Sequence, residues 1–197
     1  NIIKNDCLFF AVSGGENYFE KGEIDSAILY WNRTMDMDAE SPFSFVGIGK
    51  AMLIKGDVNG ATKQFSAALK MTKNKNAEVL RCIALAYISA ETKNLDEAIR
   101  LLSLAIKKDP ANIDGHLLMG DALNLKTPDN GSAAIKSYNE VLKLNPKSPK
   151  GIVRTAKLYQ RAKNYPLADS LYKVAKNIDS TYAPSYRENA ELNMMFN

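Results

Sequence analysis

The chain has 197 residues, of which 46% are hydrophobic and 24% charged, as is ordinary for a folded protein. Its net charge of +4, from 26 basic and 22 acidic residues, is too small an excess to indicate nucleic-acid binding by itself. No apolar run reaches the roughly 18 residues of a membrane-spanning helix, so the sequence predicts no membrane span.

Small residues recur along the chain in two series with nearly constant spacing. The first series is Gly15, Gly49, Ala84, Gly120, Ala156 and Ala190, and the second is Ala27, Ala61, Ala98, Ala134 and Ala168. Steps within both series are 34 to 37 residues long. Self-similarity at this period indicates a solenoid of stacked helix pairs.

The period divides the chain into five predicted helix pairs and one further helix. The pairs occupy residues 8–41, 42–76, 77–112, 113–148 and 149–182, and the C-terminal helix occupies 183–197. Residues 7–12 resemble the apolar part of a signal peptide, but their phase fits the first helix. In the last helix, Tyr186, Asn189 and Ala190 are in phase with the packing residues of earlier units.

The pair at 42–76 shows the pattern of the others. Its first helix has packing residues at i, i+3, i+4 and i+7, namely Phe45, Ile48, Gly49 and Met52. Gly56 is expected to end this helix, because glycine readily adopts the left-handed conformation found there. The second helix has Ala61, Phe65 and Ala68 on one face. The third and fourth pairs carry two extra residues between their helices, around 91–93 and 126–130.

These residues resemble the tetratricopeptide repeat (TPR), W-x2-L-G-x2-Y…A-x3-F…P, over essentially the whole chain. The Trp of the motif is replaced by Phe45, Leu80, His116 or Ile152. The resemblance implies an all-α, right-handed superhelical solenoid of antiparallel helix pairs forming a single domain. It also implies that the first helices line a concave groove, that the second helices form the convex back, and that the chain is a protein–protein interaction scaffold.

Catalytic and cofactor signatures are missing from the sequence, so we predict no enzyme, no cofactor and no metal site. Residues 13–16 lack the frame of a phosphate-binding loop. His116 is the only histidine and occupies a packing position. Cys7 and Cys82 lie about two repeats apart, and we expect both to be free thiols because a disulfide needs Cα atoms within about 7 Å.

Basic residues form a stripe on the first helix of the fifth pair. Lys150, Arg154, Lys157 and Arg161 lie within about 60° of arc, opposite the packing face, because a helix turns about 100° per residue. The corresponding positions of earlier pairs are Asp114, Leu118, Asp121 and Leu125; Glu78, Cys82, Leu85 and Ser89; Phe43, Gly47, Lys50 and Ile54; and Phe9, Ser13, Glu16 and Glu20.

Two interpretations of the stripe remain open. It could bind a peptide with acidic and aliphatic residues, in a groove made by Lys150, Arg154, Lys157, Arg161, Leu118, Leu125, Asp121, Arg81 and Leu85. Alternatively, it could form a ladder of ion pairs between repeats, since Asp114 and Asp121 precede it and Glu188 and Glu191 follow it. TPR proteins also have a known carboxylate clamp of Lys and Asn. We do not predict that clamp, because Leu118 replaces an Asn and Arg81 and Leu85 replace a Lys and an Asn.

A protein or peptide partner is therefore the leading expectation. The alternative is a regulatory or substrate-docking module of a larger enzyme or envelope-associated assembly. Nucleic acid is not expected, because acidic positions interrupt the groove. We expect a soluble fragment of a longer protein, and the sequence leaves its compartment open between the cytoplasm and, after removal of an upstream signal, the periplasm. Self-association is left open, because the chain ends on Met194, Met195 and Phe196.

Overall fold

The computed structural model describes residues 13–37, 41–128 and 131–195, which contain helices and their connections and no strand. The all-α prediction is thus confirmed for these residues. None of the described helices is long and apolar enough to cross a membrane. Predictions for Cys7, Phe9, Phe196 and residues 129–130 lie outside the described part of the chain. The chain divides into two compact units, the first ending at Pro110 and the second beginning at Ala111.

The first unit contains six helices among its described residues. They are α1 (13–20 as described), α2 (Ile24–Met37), α3 (Pro42–Ile54), α4 (Val58–Met71), α5 (Ala77–Ser89) and α6 (Leu95–Lys108). Helices adjacent in the chain pack as the pairs α3–α4 and α5–α6. Helix α3 also packs on α5, so these two successive first helices lie side by side. It packs as well on α2, the second helix of the preceding pair.

The second unit contains five helices among its described residues. They are α7 (Ile113–Lys126), α8 (Ser132–Leu144), α9 (Pro149–Arg161), α10 (Tyr165–Ile178) and α11 (Ala183–Met194). The pairs here are α7–α8 and α9–α10, and α11 packs on both α9 and α10. The prediction that the whole chain is a single domain stays a prediction.

In the α3–α4 and α7–α8 pairs, a glycine of the first helix lies against a large ring of the second helix. A Cβ atom added at Gly49 would lie 2.4 Å from Phe65 Cε1, and one at Gly120 would lie 2.2 Å from Tyr138 Cε1. The rings of Phe65 and Tyr138 are almost completely buried. Because real Cβ atoms do not approach other atoms so closely, these two positions require glycine for the observed helix spacing.

Turn and cap residues define where the helices begin and end. Gly56 has a φ of +80°, which is the left-handed conformation expected from the sequence. Asp57 then caps α4 by accepting a hydrogen bond from the Gly60 amide at 2.8 Å. Asn94 caps α6 in the same way. The α5–α6 connection, residues 90–94, is two residues longer than the α3–α4 connection, residues 55–57, as predicted.

The packing face predicted for α11 is partly wrong. The helix buries Ser185, Glu188, Asn189 and Leu192, whereas Tyr186 and Ala190 are exposed. In α9 the equivalent positions, Ile152 and Ala156, are buried in a cluster with Ala168 and Tyr172 of α10. Helix α11 packs on α9 and α10, so its buried face is the one turned toward those helices.

We expect Gly49→Leu to lower the free energy of unfolding by about 1–3 kcal/mol or more, because a side chain there would overlap the Phe65 ring. The matched control is Lys50→Leu, one residue further on, which is half-buried. It should change stability by about 1 kcal/mol or less, since it removes a partly exposed ion pair with Glu16 and a cation–π contact with Phe19, and the leucine would restore apolar contact there. Thermal or urea unfolding of both variants measures the difference. The opposite ranking would contradict the packing assignment.

Candidate binding surfaces

The first helices of the first unit line a groove of about 410 Å³. Helices α1, α3 and α5 supply its walls, and its lining is mainly apolar: Phe19, Phe43, Val46, Leu53, Ile54, Leu85, Ala86 and Ala90. We call this surface the apolar groove. Its volume falls in the range of about 300–1,000 Å³ that is common for ligand pockets.

Two aliphatic side chains of the apolar groove are openly exposed. Ile54 is 59% exposed and Leu85 is 42% exposed. Both occupy positions that the sequence assigned to the groove face, as do Phe43, Lys50 and Cys82. Helical phase therefore placed these five residues on the surface where the apolar groove lies.

Gly47 was also assigned to the groove face, and this assignment is wrong. A Cβ atom there would lie 2.4 Å from Trp31 Cε2, so Gly47 is where α3 packs on α2. Phase analysis also missed Phe19, Val46 and Leu53, which line the groove. One feature of the sequence could have identified these residues: α3 is apolar around almost its whole circumference. A helix that only packs against one partner needs a single apolar face, so the additional apolar residues indicate a second contact surface.

Charged side chains of the apolar groove occur in pairs. Lys50 Nζ lies 3.1 Å from Glu16 Oε2 and 4.2 Å from the centre of the Phe19 ring. Arg81 Nη2 lies 3.7 Å from Glu78 Oε1, beyond hydrogen-bonding distance. Glu16, Lys50 and Glu78 line the groove, whereas Arg81 does not.

Cys82 is the free cysteine of the described residues and lies in the apolar groove. Burial raises the pKa of its thiol, and the charge of Arg81 only partly opposes that effect. The thiol is therefore protonated at neutral pH, which makes it a slow nucleophile whose reactivity increases with pH.

In the second unit, Arg154 of the predicted basic stripe bonds to the preceding first helix. Its guanidinium donates to both oxygens of Asp121, from Nε to Oδ1 at 2.6 Å and from Nη2 to Oδ2 at 2.8 Å. The Tyr138 hydroxyl donates to the same Oδ1 at 2.8 Å. Burial and the charge of Asp121 raise the pKa of Tyr138, so this hydroxyl keeps its proton.

Lys157 bonds to the following first helix. Its Nζ lies 2.8 Å from Glu188 Oε2, and Arg187 Nη2 lies 3.0 Å from the other oxygen, Oε1. Glu188 is buried on α11. Burial alone would raise the pKa of this carboxyl, but the hydrogen bonds from Lys157 and Arg187 outweigh that effect, and the pKa is lowered.

The other predicted site residues of the second unit differ in their surroundings. Arg161 donates to Asn124 Oδ1 at 2.6 Å and to the carbonyl of Pro128. Lys150 is exposed and forms no ion pair with the described residues. Leu118 is half-buried and Leu125 is exposed. Arg154 and Lys157 thus form inter-helix ion pairs of the kind that the ion-ladder interpretation describes, whereas Arg161 donates to neutral groups.

Comparison with known proteins identifies the fold. No family model and no curated protein sequence matches the chain. The solved structure of Pseudomonas aeruginosa PilF matches with a TM-score of 0.72 at 19% identity, over 98% of this chain and 86% of that one. TTC0263, a thermophilic TPR protein of Thermus thermophilus, matches with a TM-score of 0.71 at 19% identity, over 97% and 99%. YrrB, described as a TPR protein with an unusual peptide-binding site, matches at 0.62 and 14%, over 91% and 90%. The chain therefore has the TPR fold.

We expect Glu188→Gln to lower the free energy of unfolding at neutral pH by about 1–2 kcal/mol, because it weakens two charge-assisted hydrogen bonds. The pKa of Glu188 is lowered in the folded state, so its contribution is fully present above its ordinary pKa of about 4.3. That contribution is lost as pH falls toward the folded-state pKa.

Urea unfolding between neutral pH and about pH 3 measures this effect. The difference between the wild type and Glu188→Gln should shrink as the solution is acidified. Glu191→Gln is the matched control, because Glu191 is exposed on the same helix. A difference that does not depend on pH would contradict the role of the carboxylate charge.

Proposed function

We propose that the chain is a protein-interaction module that binds a segment of a partner protein in the apolar groove. The observation that carries this proposal is the pair of exposed aliphatic side chains, Ile54 and Leu85, inside a concave and mainly apolar surface. Covering them removes apolar area from water, which contributes roughly 25 cal/mol per Å². A concave surface surrounds a partner side chain and so contacts more of its area than a convex surface would.

The comparisons support the class of function without identifying a partner. YrrB, a protein of the same fold, is described as having a peptide-binding site. The groove lies on first helices, which the repeat resemblance assigns to the concave side. In the described residues, no group of three or more His, Cys, Asp or Glu side chains could hold a metal ion. The exposed aliphatic walls of the concave groove support the binding of a partner segment.

The alternative from the sequence uses the same groove in another setting. If the chain is the regulatory or substrate-docking module of a larger enzyme or envelope-associated assembly, the bound segment would belong to a substrate or regulator. The bound segment would still need apolar side chains, because the aliphatic walls of the groove are the same.

The basic stripe remains a second candidate surface, for a partner with acidic and aliphatic residues. A groove of about 330 Å³ in the second unit has Arg154 and Lys157 in its lining, together with Asp121 and Glu188. An acidic partner would have to compete with these two carboxylates for the bound cations. Lys150, which has no such competitor among the described residues, is the stripe residue best able to meet it.

Self-association through α11 also stays a prediction. Met194 and Met195 are 71% and 58% exposed, and Tyr186 is exposed on the same helix. Exposed apolar side chains favour association between molecules where they form a contiguous patch.

The first test selects peptides from a library on the full chain, in a Cys7→Ser background that leaves Cys82 as the single thiol. Selected peptides should slow alkylation of Cys82 by iodoacetamide, because Cys82 lies in the groove. Leu85→Lys should weaken their binding about tenfold or more, the equivalent of burying one aliphatic side chain. Leu29→Lys is the matched control, because Leu29 is a similarly exposed leucine of α2 that does not line the groove. Equal weakening by both variants, or unchanged alkylation, would contradict the proposal.

The second test concerns the basic stripe and uses a synthetic peptide of alternating leucine and glutamate. Lys150→Glu should weaken its binding by up to about fivefold, since an exposed pair contributes about 0–1 kcal/mol. Lys147→Glu is the control, because it makes the same change in net charge at an exposed position outside the stripe. Isothermal titration at low and high salt measures both. Equal effects of the two variants would favour the ion-ladder interpretation of the stripe.

A further inference from the structure

The charged pairs of the apolar groove do not present their two signs equally to solvent. In the Glu16–Lys50 pair, the glutamate side chain is 45% exposed and the lysine 33%. In the Glu78–Arg81 pair, the glutamate is 62% exposed and the arginine 24%. In both pairs the carboxylate is the more accessible partner, so an incoming segment meets negative groups first.

Lys50 also has closer contacts with other side chains of the protein than Glu78 has. Lys50 forms an ion pair with Glu16 and lies over the Phe19 ring, so its ammonium group already has two favourable contacts within the groove. The contact of Glu78 among the described residues is longer, with Arg81 Nη2 lying 3.7 Å from its Oε1. The carboxylate of Glu78 therefore keeps acceptor positions that a new donor could occupy.

We propose that the segment bound in the apolar groove carries aliphatic residues together with a lysine or arginine whose cation meets Glu78. This inference rests on the proposed function, and it states the charge that the partner must have. The aliphatic residues would cover Ile54 and Leu85, and the cation would meet an accessible carboxylate beside them. A partner carboxylate in the same place would face Glu78 and would have to compete with Glu16 for Lys50.

The sign of this preference is opposite to that predicted for the basic stripe. The stripe was expected to attract acidic residues because it carries four cations. The apolar groove has two carboxylates and one lysine in its lining. Charge sign at such a surface sets which partner is accepted and in which register, more than it sets the affinity.

The test uses two synthetic peptides that share one leucine-rich core and differ only in two flanking residues, both lysine or both glutamate. The full chain with Cys7→Ser is titrated with each peptide at low salt. Fluorescence anisotropy measures binding, and the alkylation rate of Cys82 reports whether the groove is occupied. Cys82 suits this purpose because the charges of Glu16, Lys50, Glu78 and Arg81 all act on its thiol.

The lysine peptide should bind about fivefold more tightly than the glutamate peptide, as expected for one partly exposed charge contact. Glu78→Gln should remove most of that preference without abolishing binding, since the aliphatic contacts remain. Glu140→Gln is the matched control, because it removes the same charge from a partly exposed position in the second unit. It should leave the preference unchanged.

The outcomes separate this proposal from the proposed function. If both peptides slow alkylation of Cys82 equally, the groove binds peptides but the charge preference is wrong. If the lysine preference survives Glu78→Gln, or is lost equally in Glu140→Gln, the charge acts non-specifically and the assignment to Glu78 is wrong. If neither peptide changes the alkylation rate, the proposed function fails together with this inference.

Discussion

The close approach of the two helices in each pair is the contact on which the other features of this protein depend. At Gly49 and Gly120 there is no room for a Cβ atom, because the rings of Phe65 and Tyr138 fill that space. Each ring belongs to the second helix of a pair and is buried against the first helix. The glycine of the first helix has no side chain, and this allows the two helices to lie so close together. Since this contact uses only one side of each first helix, the opposite side remains available for other roles.

The two units use that opposite side differently. In the first unit, α3 and α5 place Ile54 and Leu85 there, and both stay exposed in an apolar groove. In the second unit, α9 places Arg154 and Lys157 there, and both bond to carboxylates on neighbouring helices. Cations that already pair with carboxylates add little binding free energy for a partner. Exposed aliphatic side chains add more, because covering them removes apolar area from water. This difference is why the proposed function is assigned to the first unit.

Charge on the apolar groove adds selectivity to a surface whose affinity comes from aliphatic burial. Exposed ion pairs contribute little to stability. They can still discriminate, because a like charge in the wrong place costs binding energy that a correct partner does not lose. The accessible carboxylate of Glu78 beside aliphatic walls fits this combination.

The sequence by itself determined the helix pairs, their period and, for α3, α5 and α9, most of the face that the first helix turns away from its partner. These features are local: they follow from the 3.6-residue period, from Gly56 and from small residues repeated at one spacing. Only the tertiary structure decided which exposed positions have partners. Asp121 and Arg154 lie 33 residues apart, and no local rule says that their side chains meet. The same holds for the face of α11, where burial of Glu188 rather than Ala190 depends on which helices lie beside it.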